Sequence, residues 1–209
     1  MDHAYRHSVH AFFPVLYLSM TKIVLASQSP RRKQLLQWAE VDFEIIVEPT
    51  DETYPEGLSP QEVAVHIARQ KALVVQQRTS SLVLAADTIV VLGEEIIGKP
   101  KDRDDAVRIL QKLSGAHHKV ITGVVMVQGE KEHAFADVTD VEFHPLTTEQ
   151  LQFYVDKYGP YDKAGAYAIQ EWIGVVGIRR INGDFYNVMG LPVSRVVQAL
   201  QNFSSATIR

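Results

Sequence analysis

The chain has 209 residues, 46% of them apolar, no cysteine, a formal net charge of −4 and a pI near 6.1. That is enough apolar material for a real core, built as one domain or two closely joined lobes, and it excludes a disordered tail or a fibre. The acidic balance argues against a broad nucleic-acid or anionic-membrane surface, so phosphate binding has to be local, while the absence of cysteine removes disulfides and thiolate zinc sites and fits a reducing compartment.

Residues 1–19 carry an apolar run at 11–18 that is too short to span a bilayer and is interrupted by Pro14. One Arg precedes the run and no small-x-small cleavage site follows it, so a signal peptide is the second reading. The first is an upstream start or extension, with the core beginning at Met20. No later segment approaches a transmembrane helix.

The stretch 22–36, KIVLASQSPRRKQLL, predicts a buried strand at 22–26, a tight turn through Ser27, Gln28 and Ser29, and a helix from Pro30 with Ser29 as N-cap. Arg31, Arg32 and Lys33 then fall in the first turn, where each cation costs roughly 0.3–1 kcal/mol against the helix dipole. A bound polyanion would turn that penalty into an attraction; a solvated basic helix start is the other reading.

A second strand is expected at 41–47 and a polar, proline-broken loop at 48–58, carrying Asp51 and Glu52. Ser59, Pro60 and Glu62 form a capping box that opens a helix to about Gln77. Residues 82–92 are nearly continuously apolar, the pattern of a strand buried on both faces. A turn at 93–95 leads to a short partner at 96–97, then Gly98-Lys99-Pro100. A helix follows from Asp102 or Asp104 to Leu113, closed by Gly115. Strands at 118–127 and 132–143 flank a hairpin turn at 128–130. Thr147 caps a helix to Tyr158, stopped by Gly159-Pro160. The last third is expected to hold a strand pair around Asn182-Gly183 and a closing helix from Pro192 to about Phe203. This alternation of helices, strands and hairpins predicts an α/β fold with a mixed β-sheet and flanking helices.

Asp87 is anomalous, because a bare carboxylate inside the apolar core of a strand is expensive without a partner. A metal ion, Lys71 or Lys99 could face it, or it could cap a neighbouring loop or helix. Glu52 is a candidate second carboxylate or, taken alone, a solvated loop acid, and two carboxylates with a triphosphate make an all-oxygen site suited to Mg²⁺ or Mn²⁺. Lys99 has its backbone held between Gly98 and Pro100, so its ammonium can be aimed; a surface lysine is the other reading. In the run 162–170, DKAGAYAIQ, small residues let backbone approach a ligand and Lys163 can pair with a phosphate. The Gln170 amide can match a uracil or thymine edge or, flipped, a cytosine edge, so specificity requires another group to fix it. The chain has no GxxxxGK[ST] loop, strand-linked GxGxxG, HExxH or GxSxG, and its eight histidines are scattered or, as His117 and His118, adjacent on a strand and facing opposite ways.

LASQSPRRKQLL, LAADTIVV followed by GKPKD, KLSGAHHKVITGV, DKAGAYAIQ and NVMGLP, in this order, resemble the Maf family of nucleoside triphosphate pyrophosphatases from about Thr21 to the C-terminus. The resemblance implies two lobes around a central cleft, an architecture like that of the inosine triphosphate pyrophosphatases, and a single catalytic domain over 20–209. It also implies a cytoplasmic enzyme that needs a divalent metal, Mg²⁺ or Mn²⁺, and is often a homodimer; that no nucleic acid or membrane is a partner is expected from the acidic balance instead. The family's catalytic Asp falls on Asp87. Its specificity positions fall on Arg31, Thr88 and Gln170, which is similar to the branch acting on dTTP and UTP rather than the 7-methyl-GTP branch. Arg32, Glu52, Lys71 and Lys99 match further polar positions of the cleft. Glu171-Trp172-Ile173 departs from the small, glycine-rich residues of many relatives.

On this reading Ser27, Ser29, Arg31, Arg32 and Lys163 grip the triphosphate and Glu52 and Asp87 hold the metal. Lys71 and Lys99 neutralise charge as the bond between the α- and β-phosphates breaks. An ordinary Asp is a weak base at neutral pH, so Asp87 is expected chiefly to orient a water that the metal acidifies. The reading of a different kind is a regulatory protein of septum formation or cell division that binds nucleotide only as a ligand.

Overall fold

The computed structural model describes residues 22–205, with side chains to Phe203. The extension expected at 1–19, and Met20, lie outside the described residues. Strand β1 (Ile23–Leu25) leads into helix α1 (Pro30–Trp38), and β2 (Phe43–Ile45) pairs parallel with β1. The strand expected at 41–47 is therefore shorter, and most of it is exposed at the edge of the sheet. Helix α2 (Pro60–Gln76) opens on the expected capping box of Ser59 and Glu62. Next come β3 (Val83–Leu92), β4 (Glu95–Ile97) and α3 (Arg103–Leu113), with Asp102 accepting from the Asp105 amide as N-cap.

The long hairpin of β5 (His117–Gln128) and β6 (Lys131–Phe143) follows, then α4 (Thr148–Tyr158). Thr147 and Gln150 make the second capping box, and Gly159 ends α4 in the left-handed conformation that a β-carbon disfavours, with φ +53°. Two further helices, α5 (Trp172–Gly177) and α6 (Phe185–Met189), flank β7 (Ile178–Asn182), and α7 (Val193–Ser205) closes the chain. The expected strand pair around Asn182-Gly183 is half right. Its first arm is β7, but Asp184 accepts a hydrogen bond from the Tyr186 amide and starts α6 where a second strand was expected.

The sheet order is β2-β1-β3-β5-β6-β7, with β4 added to β3; the β1 pairings are parallel and the others antiparallel. Among the described residues no helix is long and apolar enough to cross a membrane.

Two features of this sheet position the site. On one edge β3 pairs with β5 throughout. On the other it meets β1 at Val83 and Leu84 and β4 only from Val90 onward, so residues 85–89 face an opening between β1 and β4. The period of two also sorts the side chains of β3. Val83, Ala85, Ile89 and Val91 pack on the face that α2 covers, whereas Leu84, Ala86 and Val90 join the larger core beneath α1, α3, α4 and α7. Asp87 belongs to the first set and Thr88 to the second.

Candidate active site

Opposite Asp87 on β5 stands Gly123, where a β-carbon would lie 2.3 Å from the Ala64 carbonyl carbon. Helix α2 therefore rests directly on the sheet at this point. Lys71, two turns beyond Ala64 on the same helix, is carried to Asp87. Its ammonium is 2.7 Å from Asp87 Oδ1 and 2.8 Å from Glu52 Oε1, and Lys99 Nζ reaches Glu52 Oε2 at 3.6 Å. Partial burial pushes the Glu52 carboxyl up, but the Lys71 and Lys99 ammonium groups outweigh it and hold the group below its ordinary value. One cation thus sits between two carboxylates drawn from a loop and a strand.

Thr88, on the other face, meets α1. Arg32 is buried and donates from Nε to the Gly190 carbonyl at 2.8 Å, from Nη1 to Ser27 Oγ at 3.1 Å and from Nη2 to Thr88 Oγ1 at 3.0 Å. Burial lowers this guanidinium from its ordinary value, and the Asp87 charge counters it. Arg31 donates to the Met189 carbonyl at 3.2 Å and to Asp162 at 3.1 Å. The two cations that look misplaced at a helix start therefore find carbonyl oxygens at the end of α6. Lys33 is exposed, so the basic run divides into two site residues and one solvated one. Ser29 has the backbone of an N-cap without the side-chain bond; its amide donates to Ser27 Oγ at 3.2 Å.

These groups line a cleft of about 970 Å³, together with Asp162, Lys163, Tyr167, Val47, Val188 and Met189. That is the upper end of the roughly 300–1,000 Å³ typical of ligand sites. Cationic, anionic and apolar surfaces meet in it.

The model for the family described as "Maf-like protein" matches residues 22–203. The chain belongs to the Maf family. Among curated relatives, the dTTP/UTP pyrophosphatase of Cytophaga hutchinsonii is 47% identical over 186 residues, 88% of this chain and 85% of that one. The protein of the same name from Porphyromonas gingivalis is 44% identical over 194 residues, 90% of this chain and 98% of its own length. The Ham1 protein of Staphylococcus aureus matches in structure with a TM-score of 0.50 at 18% identity, covering 88% of this chain and 100% of that one. At such identity the likeness is one of fold.

The Maf cleft brings together Ser27, Ser29, Arg31, Arg32, Glu52, Lys71, Asp87, Thr88, Lys99 and Lys163. It does not bring in Gln170. That residue follows buried Ile169 in a turn, is exposed, and does not line the cleft, because the turn into α5 faces Ile169 inward and leaves its neighbour in solvent. The residues that sequence reasoning left unassigned are Asp162 and the Met189 and Gly190 carbonyls. DKAGAYAIQ and NVMGLP pointed to these stretches but not to the atoms used.

Among the described residues no group of three or more His, Asp or Glu could hold a metal ion. Glu52 and Asp87 still converge on a single cation, Lys71, and supply only hard oxygen donors. That pair fits Mg²⁺ or Mn²⁺ if phosphate and water oxygens complete the shell, the usual arrangement for Mg²⁺.

Proposed function

We propose that this Maf protein is a cytoplasmic, metal-dependent nucleoside triphosphate pyrophosphatase that hydrolyses dTTP and UTP, and modified pyrimidine triphosphates, to the monophosphate and pyrophosphate. The observation that carries the reading is the Asp87–Lys71–Glu52 junction in a cleft that also gathers Arg31, Arg32, Lys99 and Lys163. The names of the relatives from Cytophaga and Porphyromonas support the substrates.

The residues divide the work by position. Arg31, Arg32 and Lys163, with the Ser27–Ser29 turn, bind the phosphate chain, and Arg32 ties that grip to Thr88 beside the reacting carboxylate. Asp87 accepts a hydrogen bond from the attacking water and orients its lone pair toward the α-phosphorus. The new bond forms between the water oxygen and that phosphorus, and the proton the water gives up passes by way of Asp87 to solvent. The bond to the bridging oxygen breaks, and pyrophosphate leaves with the electron pair. Lys71 and Lys99 offset the charge that grows on it, in a site walled partly by apolar residues where such charge interactions are stronger than in water. A divalent ion held by Glu52 and Asp87 would supply Lewis acidity at the phosphates.

The test is a panel of canonical and modified nucleoside triphosphates with Mg²⁺ or Mn²⁺, products resolved by ion exchange. Thymidine and uridine monophosphate with pyrophosphate should appear, and Asp87→Asn should lose about 10²–10⁴-fold in rate. Nucleoside diphosphate and orthophosphate would mean that a different bond is cut. Binding of nucleotide without turnover would turn the reading to a regulatory ligand.

A further inference from the structure

A second charged junction, at 162–171, contains groups to which the reaction above gives no role. Asp162 Oδ1 accepts from Lys163 Nζ at 2.7 Å, and its Oδ2 accepts from Arg31 Nη1 at 3.1 Å. Each oxygen of one carboxylate meets a different cation, which is how two oxygens of a phosphate would be held. The Asp162 side chain is 56% exposed, so water can solvate it if it swings out, whereas that of Lys163 is only 10% exposed.

Lys163 has another anion behind it. Glu171 Oε1 lies 3.7 Å from its ammonium. The other Glu171 oxygen accepts from the Tyr154 hydroxyl, and that hydroxyl accepts from the Ala168 amide at 3.1 Å. Tyr154 is fully buried on α4 and stacks on Tyr158 with ring centroids 5.0 Å apart. Glu171 is therefore tied to the core, and Asp162 is not.

We propose that Asp162 is an internal stand-in for a substrate phosphate, displaced from Arg31 and Lys163 when a phosphoanion binds, and that Glu171, clamped by Tyr154, is the positioning residue that keeps Lys163 aimed afterwards. This rests on the reading of the cleft as a nucleotide site. It separates two acids that neighbour the same lysine. One competes with the ligand, and the other organises the grip.

The experiment titrates inorganic pyrophosphate into the full chain by calorimetry, for wild type, Asp162→Asn, Glu171→Gln and Glu171→Asp. Removing the competitor should tighten pyrophosphate about five- to tenfold, and removing the organiser should weaken it by a similar factor. Glu171→Asp, which keeps the charge, should recover at least half of that loss on a logarithmic scale. In turnover of dTTP, Glu171→Gln should raise KM about tenfold while kcat falls less than about threefold, a split that a general loss of packing does not produce. Pyrophosphate bound equally or more weakly by Asp162→Asn overturns the stand-in role. Equal loss in Glu171→Asp and Glu171→Gln overturns the positioning role. Pyrophosphate binding needs no turnover, so the expected shifts in a protein inert toward dTTP and UTP would uphold this proposal and reject the enzymatic reading. Turnover without the shifts would do the reverse.

Discussion

His118 lies in the core behind the cleft. Its Nε2 is 2.7 Å from the Tyr167 hydroxyl, its ring meets Phe143 and Tyr167 edge-on, and Nδ1 is buried without a hydrogen-bond partner. Burial, with a smaller push from His117, lowers its pKa to about 4. In the unfolded chain the same ring titrates near 6.5. Between those values the unfolded state takes up a proton that the native state refuses, so falling pH favours unfolding through that window. Above about pH 7 both states are neutral and the effect vanishes. The loss on reaching pH 4 should be roughly 3 kcal/mol. Urea unfolding at about pH 7 and about pH 4.5 checks this, because His118→Gln should flatten the difference. The depressed carboxylates Glu52 and Asp162 also lose their contribution as acid protonates them, but they do so in both proteins, so the comparison isolates the histidine. An identical acid response in the two proteins would show that His118 is not the titrating group. Tyr167 lines the cleft, so protonation behind it would also reach the ligand wall.

At the scale of elements, α2 is located by a missing side chain. Gly123 lets the Ala64 backbone touch β5, and that height above the sheet carries Lys71 to Asp87. Gly123→Ala has no room, and because the nearest atoms are backbone, the helix itself must lift. Overpacking of this kind costs about 1–3 kcal/mol. Activity should fall by more than Tm alone explains, since Lys71 moves with the helix. A variant with normal stability and normal kcat would break that link. The glycine is legible in the sequence as a glycine inside a strand, but the helix it admits is not. The same division runs through the chain. Ser59-Pro60-Gln61-Glu62, Thr147 and Gly159 announce their helix ends because caps act over three or four residues, and the structure keeps them all. Asn182-Gly183 misleads because the Asp184 side chain finds the Tyr186 amide and starts a helix where a hairpin is expected. The carboxylate of Asp87 can be singled out from its apolar neighbours alone. Its partner cannot be chosen among a metal, Lys71 and Lys99 until α2 is placed. Arg31 and Asp162 are separated by 131 residues, and no local pattern couples them.

The cleft draws on segments far apart in the chain: the turn after β1, the start of α1, the loop carrying Glu52, α2, β3, Lys99, Val120 of β5, 162–168 and 188–190. No part of it survives if the sheet comes apart, so ligand binding must be linked to global unfolding. In the structure Lys71 and Lys99 satisfy Glu52 while Asp162 satisfies Arg31 and Lys163. A phosphoanion that takes these cations would exchange partners that already exist, and the gain should depend on metal and nucleotide together. A ligand at one hundred times its dissociation constant stabilises by about 2.7 kcal/mol. For a chain of this size that is a rise in Tm of about 5–10 °C. Thermal unfolding with Mn²⁺ alone, with a slowly hydrolysed dTTP analogue and a chelator, and with analogue plus Mn²⁺ should give a small, a partial and the full rise, respectively. Glu52→Gln should remove most of the increment that needs Mn²⁺ and leave the partial rise from the arginines and Lys163. An equal rise from the analogue with and without chelator would remove the metal from the site, leaving Lys71 as the cation on which Glu52 and Asp87 converge.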